Sequence, residues 1–394
     1  MELSPEAARD RLAALAADST RLARSYDLAI VPPRPPLGGS ASDTNDAAQY
    51  FARGMAVFER DPTEAAAAFA WATRLEPSFA QGYYNRWLAL QQRRRPSRLD
   101  DGTVRAGHPP SEEQARHIDS LAATAFALNP FVETVAGPEI RAPGDWLDDA
   151  KLGRRDYDRG RYASAIRLWG RFLLQNPAAI DARLWRAQAM YVLHHYDDAA
   201  QELTVALDEV RRAERDSAHY APRVRKELLS YAIGLLQAQR GDLAGARVAY
   251  EEAIADNLGF YMAHARLAGL ALLEHDTTTA LVEYETATSI RGDDPALRFL
   301  YGYALLQARR LEDAERQLRE AVRLAPDFAA PYAWLGRVLD VTGDTTRARA
   351  IYETFVAHAS HGAPDLAWVR RRLVAGPSPT GPGEAPTAAR PVTR

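Results

Sequence analysis

Residues Arg310 to Pro326 read RLEDAERQLREAVRLAP, and residues Gly160 to Pro177 read GRYASAIRLWGRFLLQNP. In both, a small residue (Ala314, Ala165) is followed four positions on by a large one (Leu318, Trp169). Such offsets share one face of an α-helix. The pattern recurs at a fixed distance. Ala246, Ala280, Ala314 and Ala348 are each 34 residues apart, and so are Ala165 and Ala199. Tyr250, Tyr284, Leu318 and Tyr352 follow the first four alanines, and Ala253, Ala287, Ala321 and Phe355 follow three residues later. A second helix precedes each of these, carrying a small residue beside an apolar one at Gly153, Gly234, Ala268, Gly302 and Gly336. Asp158-Arg159-Gly160, Arg240-Gly241-Asp242 and Thr342-Gly343-Asp344 mark the turns between the paired helices. Pro77, Pro130, Pro177 and Pro326 end the second helix.

This pattern resembles the tetratricopeptide repeat (TPR) family. Eight units begin near Asp46, Ala80, Trp146, Ile180, Glu227, Tyr261, Pro295 and Ala329. They cover about two-thirds of the 394 residues. The resemblance implies an all-α fold, an α-solenoid in which antiparallel helix pairs stack as a right-handed superhelix. In such a stack each repeat touches only its neighbours. The expected organisation is an N-terminal amphipathic helix at 1–30, a Pro/Gly-rich linker at 31–45 and the solenoid at 46–362. A capping helix at 363–375 and a disordered tail at 376–394 follow. Spacings longer than 34 place insertions near 93–110, 131–145 and 209–225, the last as an extension of its helix. The N-terminal helix is expected either to cap the first repeat or to lie in a groove, its own or a neighbour's. Oligomerisation through it stays open.

Composition narrows the function classes. A length of 394 residues exceeds one compact core. With 49 basic and 52 acidic side chains the net charge is −3, which disfavours nucleic acid as a general partner. No cysteine is present, so thiolate metal sites, iron–sulfur clusters and cysteine nucleophiles are excluded. No cofactor and no metal site is expected. Neither lysine (Lys151, Lys226) sits in a phosphate-binding loop, and GxSxG and HExxH are absent. His194-His195 and the arginine runs Arg93–Arg95 and Arg370–Arg372 read as solvated helix ends. An enzyme is not expected. No stretch resembles a leader peptide or a membrane span, and a cytoplasmic location is expected, or a periplasmic or extracellular one if a leader has been removed.

In the TPR family the first helix of each pair, helix A, lines the concave face where ligands bind. Carried over residue by residue, that face holds Phe51, Met55, Phe58, Tyr84, Leu88, Arg154, Tyr157, Leu184, Gln188 and Tyr191. It continues with Tyr231, Leu235, Met262, Phe299, Tyr303 and Arg337. An apolar, aromatic wall of this kind suits an extended peptide or an amphipathic helix. Family members that bind chaperones clamp a carboxylate with Lys, Arg and Asn. No lysine stands at a matching position here. The expected function is a non-catalytic scaffold or adaptor that binds a segment of a partner protein during complex assembly. A ligand-sensing or regulatory repeat protein and an assembly factor for envelope or secretion machinery are the alternatives. Some of the aromatic residues are equally suited to packing between neighbouring helices.

Overall fold

The computed structural model describes residues 32–37, 43–92, 97–98, 104–105, 112–132, 146–216 and 225–375. The expected N-terminal helix, the tail, part of the linker and most of the first two insertions lie outside the described residues.

The described residues form α-helices joined by short turns. In chain order the A and B helices of the repeats are α1 (Ala47–Val57) and α2 (Pro62–Leu75), α3 (Ala80–Gln92) and α4 (Glu112–Leu128), and α5 (Trp146–Asp158) and α6 (Tyr162–Gln175). Next come α7 (Ile180–Val192) and α8 (Tyr196–Asp216), α9 (Lys226–Gln239) and α10 (Leu243–Asp256), and α11 (Tyr261–Leu273) and α12 (Thr277–Ile290). The series ends with α13 (Pro295–Gln307) and α14 (Leu311–Leu324), α15 (Ala330–Val341) and α16 (Thr345–His358), and a single helix α17 (Leu366–Ala375). Between α3 and α4, β1 (Ser97–Arg98) and β2 (Val104–Arg105) form a two-residue antiparallel ladder. α8 runs through Glu209 to Asp216. The chain is thus an α-solenoid of helix pairs, with consecutive helices packed on each other along α1–α3, α5–α10 and α12–α17.

The A-to-B turns explain the helix ends. Asp242, Asp276 and Asp344 each accept a hydrogen bond from the backbone N–H three residues on, at 2.9–3.0 Å, satisfying a free donor of the first turn. The residue immediately before the capping position has left-handed backbone. Glycine fills that slot at Gly160 (φ 71°), Gly241 (φ 82°) and Gly343 (φ 88°). In three other turns a residue with a β-carbon is left-handed: His194 (φ 60°), His275 (φ 62°) and Arg309 (φ 59°). A left-handed residue with a β-carbon costs roughly 1–2 kcal/mol, and glycine returns part of that as unfolded-state entropy. His275→Gly is therefore expected to raise the unfolding free energy by about 0.5–1 kcal/mol, read from denaturant midpoints. A lower midpoint would mean that the imidazole makes a contact worth more than the strain.

Within five of the pairs the contact is a glycine notch and a large side chain. A β-carbon at Gly54 would lie 2.5 Å from the Phe69 ring, at Gly153 2.6 Å from Trp169, and at Gly234 2.5 Å from Tyr250. Gly302 faces Leu318 at 2.8 Å, and Gly336 faces Tyr352. The alanines that set the repeat, Ala165, Ala199, Ala246, Ala280, Ala314 and Ala348, are fully buried. Small residues on both helices bring the backbones close, and one large side chain fills each gap.

Backbone contacts divide the chain into two compact units, residues 126–270 and residues 1–125 together with 271–394. The second of these brings the first and last repeats together. Arg74 of α2 pairs with Asp327 at 2.7 Å. The buried Asp43 accepts from the backbone N–H of His361 at 2.7 Å, and Asn45 donates to the Ala357 carbonyl at 2.9 Å. Trp71 donates to the Pro32 carbonyl at 2.9 Å while Arg34 lies 4.4 Å over its ring. A solenoid with contacts only between neighbours has no such bonds, so this expectation is corrected: repeat one is tied to repeat eight.

Candidate peptide-binding faces

In the unit made of both chain ends, the A-helix residues sort into two groups. Tyr84 is buried beside Trp87, 5.6 Å between rings. Phe51 packs on Phe69 and Phe79 at 5.5 and 5.1 Å, and Phe58 packs on Phe69 at 6.3 Å. Leu88 is half-buried and Met55 is 50% exposed. On α13 and α15 the rings stay partly open. Phe299 meets Phe328 edge-on at 5.6 Å, and Tyr303 meets Trp334 edge-on at 4.8 Å. Arg337 lies 5.6 Å from the Trp334 ring and 5.9 Å from the Trp368 ring of α17. Among the described residues it makes no ion pair. Burial raises the Asp365 carboxyl pKa, against the Trp334 hydrogen bond and the Arg337 charge that lower it. Of the Arg370–Arg372 run, Arg372 is spent on Asp340 at 2.8 Å.

In the unit of residues 126–270, more of the expected face is packed away. Tyr157 is buried against Tyr162 and Trp169. Tyr231 is fully buried between Tyr250 and Phe260, and its hydroxyl accepts from Arg266 at 3.1 Å. Met262 is buried. Arg154 pairs with Asp158 at 3.0 Å. Leu184, Tyr191 and Leu235 remain half-buried, and the buried Gln188 shares one stripe of α7 with Leu184 and Tyr191. A partner segment also lies there: the Phe131 ring stacks on Tyr191 at 4.4 Å with 7° between planes. Gln188 donates to the Phe131 carbonyl at 3.2 Å. Burial, with Tyr196 nearby, raises the Tyr191 hydroxyl pKa.

Trp334, Trp368 and Phe131 are absent from the face read off the sequence. A signal for part of the pattern exists there, since Phe79, Phe260 and Phe328 each close a repeat four residues after its B helix ends.

Two segments, residues 150–215 and 271–327, match family models described as tetratricopeptide repeat. These segments of the chain carry tetratricopeptide repeats. No curated protein matches it. Solved structures of TPR proteins are similar to it. The C-terminal part of a TPR repeat-containing protein from Cytophaga hutchinsonii shares 16% identity over 53% of this chain and 78% of that one, with a TM-score of 0.44. YrrB, described as a TPR protein with an unusual peptide-binding site, shares 16% over 52% and 96%, with a TM-score of 0.39. The yeast Sti1 TPR2AB domain in complex with pHSP90 shares 14% over 58% and 97%, with a TM-score of 0.26. Among the described residues of this TPR chain, no helix is long and apolar enough to cross a membrane. No group of three His, Cys, Asp or Glu side chains suited to a metal is found among them either.

Proposed function

We propose that this TPR chain is a non-catalytic scaffold that binds a peptide or helical segment of a partner protein on its A-helix faces, for complex assembly. The observation that carries this reading is the wall formed by Phe299, Tyr303, Trp334, Arg337 and Trp368. Rings on consecutive A helices are only half-buried there, so their faces are available to apolar side chains. Arg337 is held by two tryptophan rings and keeps its guanidinium donors for a partner's carbonyl or carboxylate. Packed rings and a stacked arginine are the residue types that dominate binding energy at protein interfaces.

Peptides selected from a random-sequence library on the immobilised chain test this reading. Tyr303→Ala and Arg337→Gln are each expected to weaken the selected peptides about tenfold or more, roughly 1.4 kcal/mol. Melting temperatures of both variants should stay near that of the parent. Undiminished affinity in both folded variants rejects this wall as the binding face.

A further inference from the structure

We propose that the segment Asn129–Val132 is an intramolecular ligand of the α7 groove, and that this groove takes a partner segment of the same chemistry, an aromatic residue followed by a branched apolar one. The proposal rests on the peptide-binding reading above but concerns the other compact unit. Its starting point is a departure from a repeating contact. In three repeats the phenylalanine that follows the B helix packs on helix A of its own repeat: Phe79 on Phe51, Phe260 on Tyr231 and Phe328 on Phe299, at 5.1, 5.1 and 5.6 Å. Phe131 follows Pro130 after the second repeat, one position earlier in the turn than Phe79 and Phe328 stand after Pro77 and Pro326. Its ring, however, stacks flat on Tyr191, in helix A of the fourth repeat.

Both ring and main chain of the segment are recognised. Gln188, itself only 8% exposed, spends its amide N–H on the Phe131 carbonyl. Phe131 is 8% and Val132 2% exposed. The segment is pre-shaped by Asn129, whose side chain accepts from the Phe131 N–H at 2.9 Å and whose carbonyl accepts from the Val132 N–H at 3.0 Å. A ring in an aromatic slot with a fixed hydrogen bond to the backbone is how a groove reads a peptide. Tyr191 and Gln188 stand on the ligand-facing stripe that the sequence assigns to this helix, so Phe131 sits where a partner side chain would sit.

A tethered segment competes at an effective concentration in the millimolar range. A free peptide of the same chemistry meets an occupied groove, and its apparent affinity falls by the fraction of time the groove is closed. Removing the Phe131 ring therefore raises affinity for the free peptide, by roughly 10- to 100-fold.

The probe is a fluorescein-labelled peptide copying residues 127–135, ALNPFVETV, titrated with the full chain and followed by anisotropy. Phe131→Ala is expected to bind it at least about tenfold more tightly than the parent, and Tyr191→Ala in the Phe131→Ala background is expected to lose that gain. Phe131→Leu, which keeps apolar volume and drops the ring, serves where the alanine variant does not fold. Affinity no higher than the parent's in the folded variants overturns the proposal. So does unfolding of both, which would make Phe131 a core residue without exchange. Peptides selected on the Tyr303–Arg337 wall should bind Phe131→Ala and the parent alike. Failure of the scaffold reading thus shows in those peptides, and failure of the self-ligand in the 127–135 peptide.

Discussion

Gly234→Leu is expected to unfold the repeat it sits in, lowering the unfolding free energy by about 3 kcal/mol or more. The first atom of any side chain at 234 would stand 2.5 Å from Tyr250 Cε1 and 2.7 Å from Cδ1. Tyr250 cannot retreat. It is 2% exposed and backed by the Tyr231 ring at 5.7 Å, which Phe260 holds from the other side at 5.1 Å. Relief requires α9 and α10 to separate, which opens the same close-packed contact to water. Gly234→Ala is the sharper comparison. Alanine gains about 1 kcal/mol of helix propensity over glycine, and overpacking costs about 1–3 kcal/mol. The clash wins, and the alanine variant should be mildly destabilised. Gly241→Ala lies a few residues away with open space around its β-carbon and a φ of 82°. It tests strain without clash and should cost about 1 kcal/mol. Far-UV circular dichroism during urea unfolding reads all three. In a Gly234→Leu/Tyr250→Ala double variant the loss should be well below the sum of the single losses, because the two side chains claim one space. Full additivity would show that the notch and the ring are independent.

That notch was legible in the sequence, and it shows what kind of information the sequence holds. Gly234 and Tyr250 are 16 residues apart, as are Gly153 and Trp169, Gly302 and Leu318, and Gly336 and Tyr352. A contact repeated at constant spacing leaves a periodic trace, so helix pairing and stacking order can be read directly. The ligand face is harder to read. Tyr231 and Phe299 occupy the same position of helix A, three residues before the glycine, yet one is buried by Phe260 and the other is half-buried beside Phe328. A helix in a solenoid packs on neighbours along more than one stripe, so position on the helix does not separate ligand wall from core. Contacts made once leave no period at all. Asp43 meets His361 across 318 residues, and Phe131 reaches Gln188 across 57. Each is set by where unique segments cross the repeats, and neither has a second copy in the chain to reveal it.

Glu202→Ala is expected to cost about 3 kcal/mol, a large loss for removing one carboxylate. Glu202 of α8 is the shared partner of two arginines of α7: Arg183 Nη1 at 3.2 Å and Arg186 Nη1 at 3.0 Å. The side chains are 13% exposed for Glu202 and Arg183 and 26% for Arg186. The Arg186 guanidinium lies against Gly170 of α6, and its Nε is buried with no acceptor among the described residues. Arg186 and Glu202, with His195, Asp198 and Gln201, line the polar side of a cleft of about 360 Å³ whose apolar side includes Ile166, Met190 and Leu193. An exposed ion pair contributes at most about 1 kcal/mol, because water solvates both charges once they separate. Here separation is not the alternative. Removing the carboxylate strands two cations in a site where water reaches them poorly, and that penalty exceeds what the pair itself contributes. Arg183 retains two hydrogen bonds to the Pro177 carbonyl, at 2.7 and 3.1 Å, so the greater share of the loss falls on Arg186. Two further variants separate stranded charge from lost packing. Glu202→Gln keeps the volume and an acceptor oxygen and should lose less than the alanine variant. Arg186→Met in the Glu202→Ala background removes the more stranded charge and should recover stability. A loss below about 0.5 kcal/mol in Glu202→Ala would place the three side chains in solvent-like surroundings. No recovery on adding Arg186→Met would assign the cost to lost contacts on α8 instead.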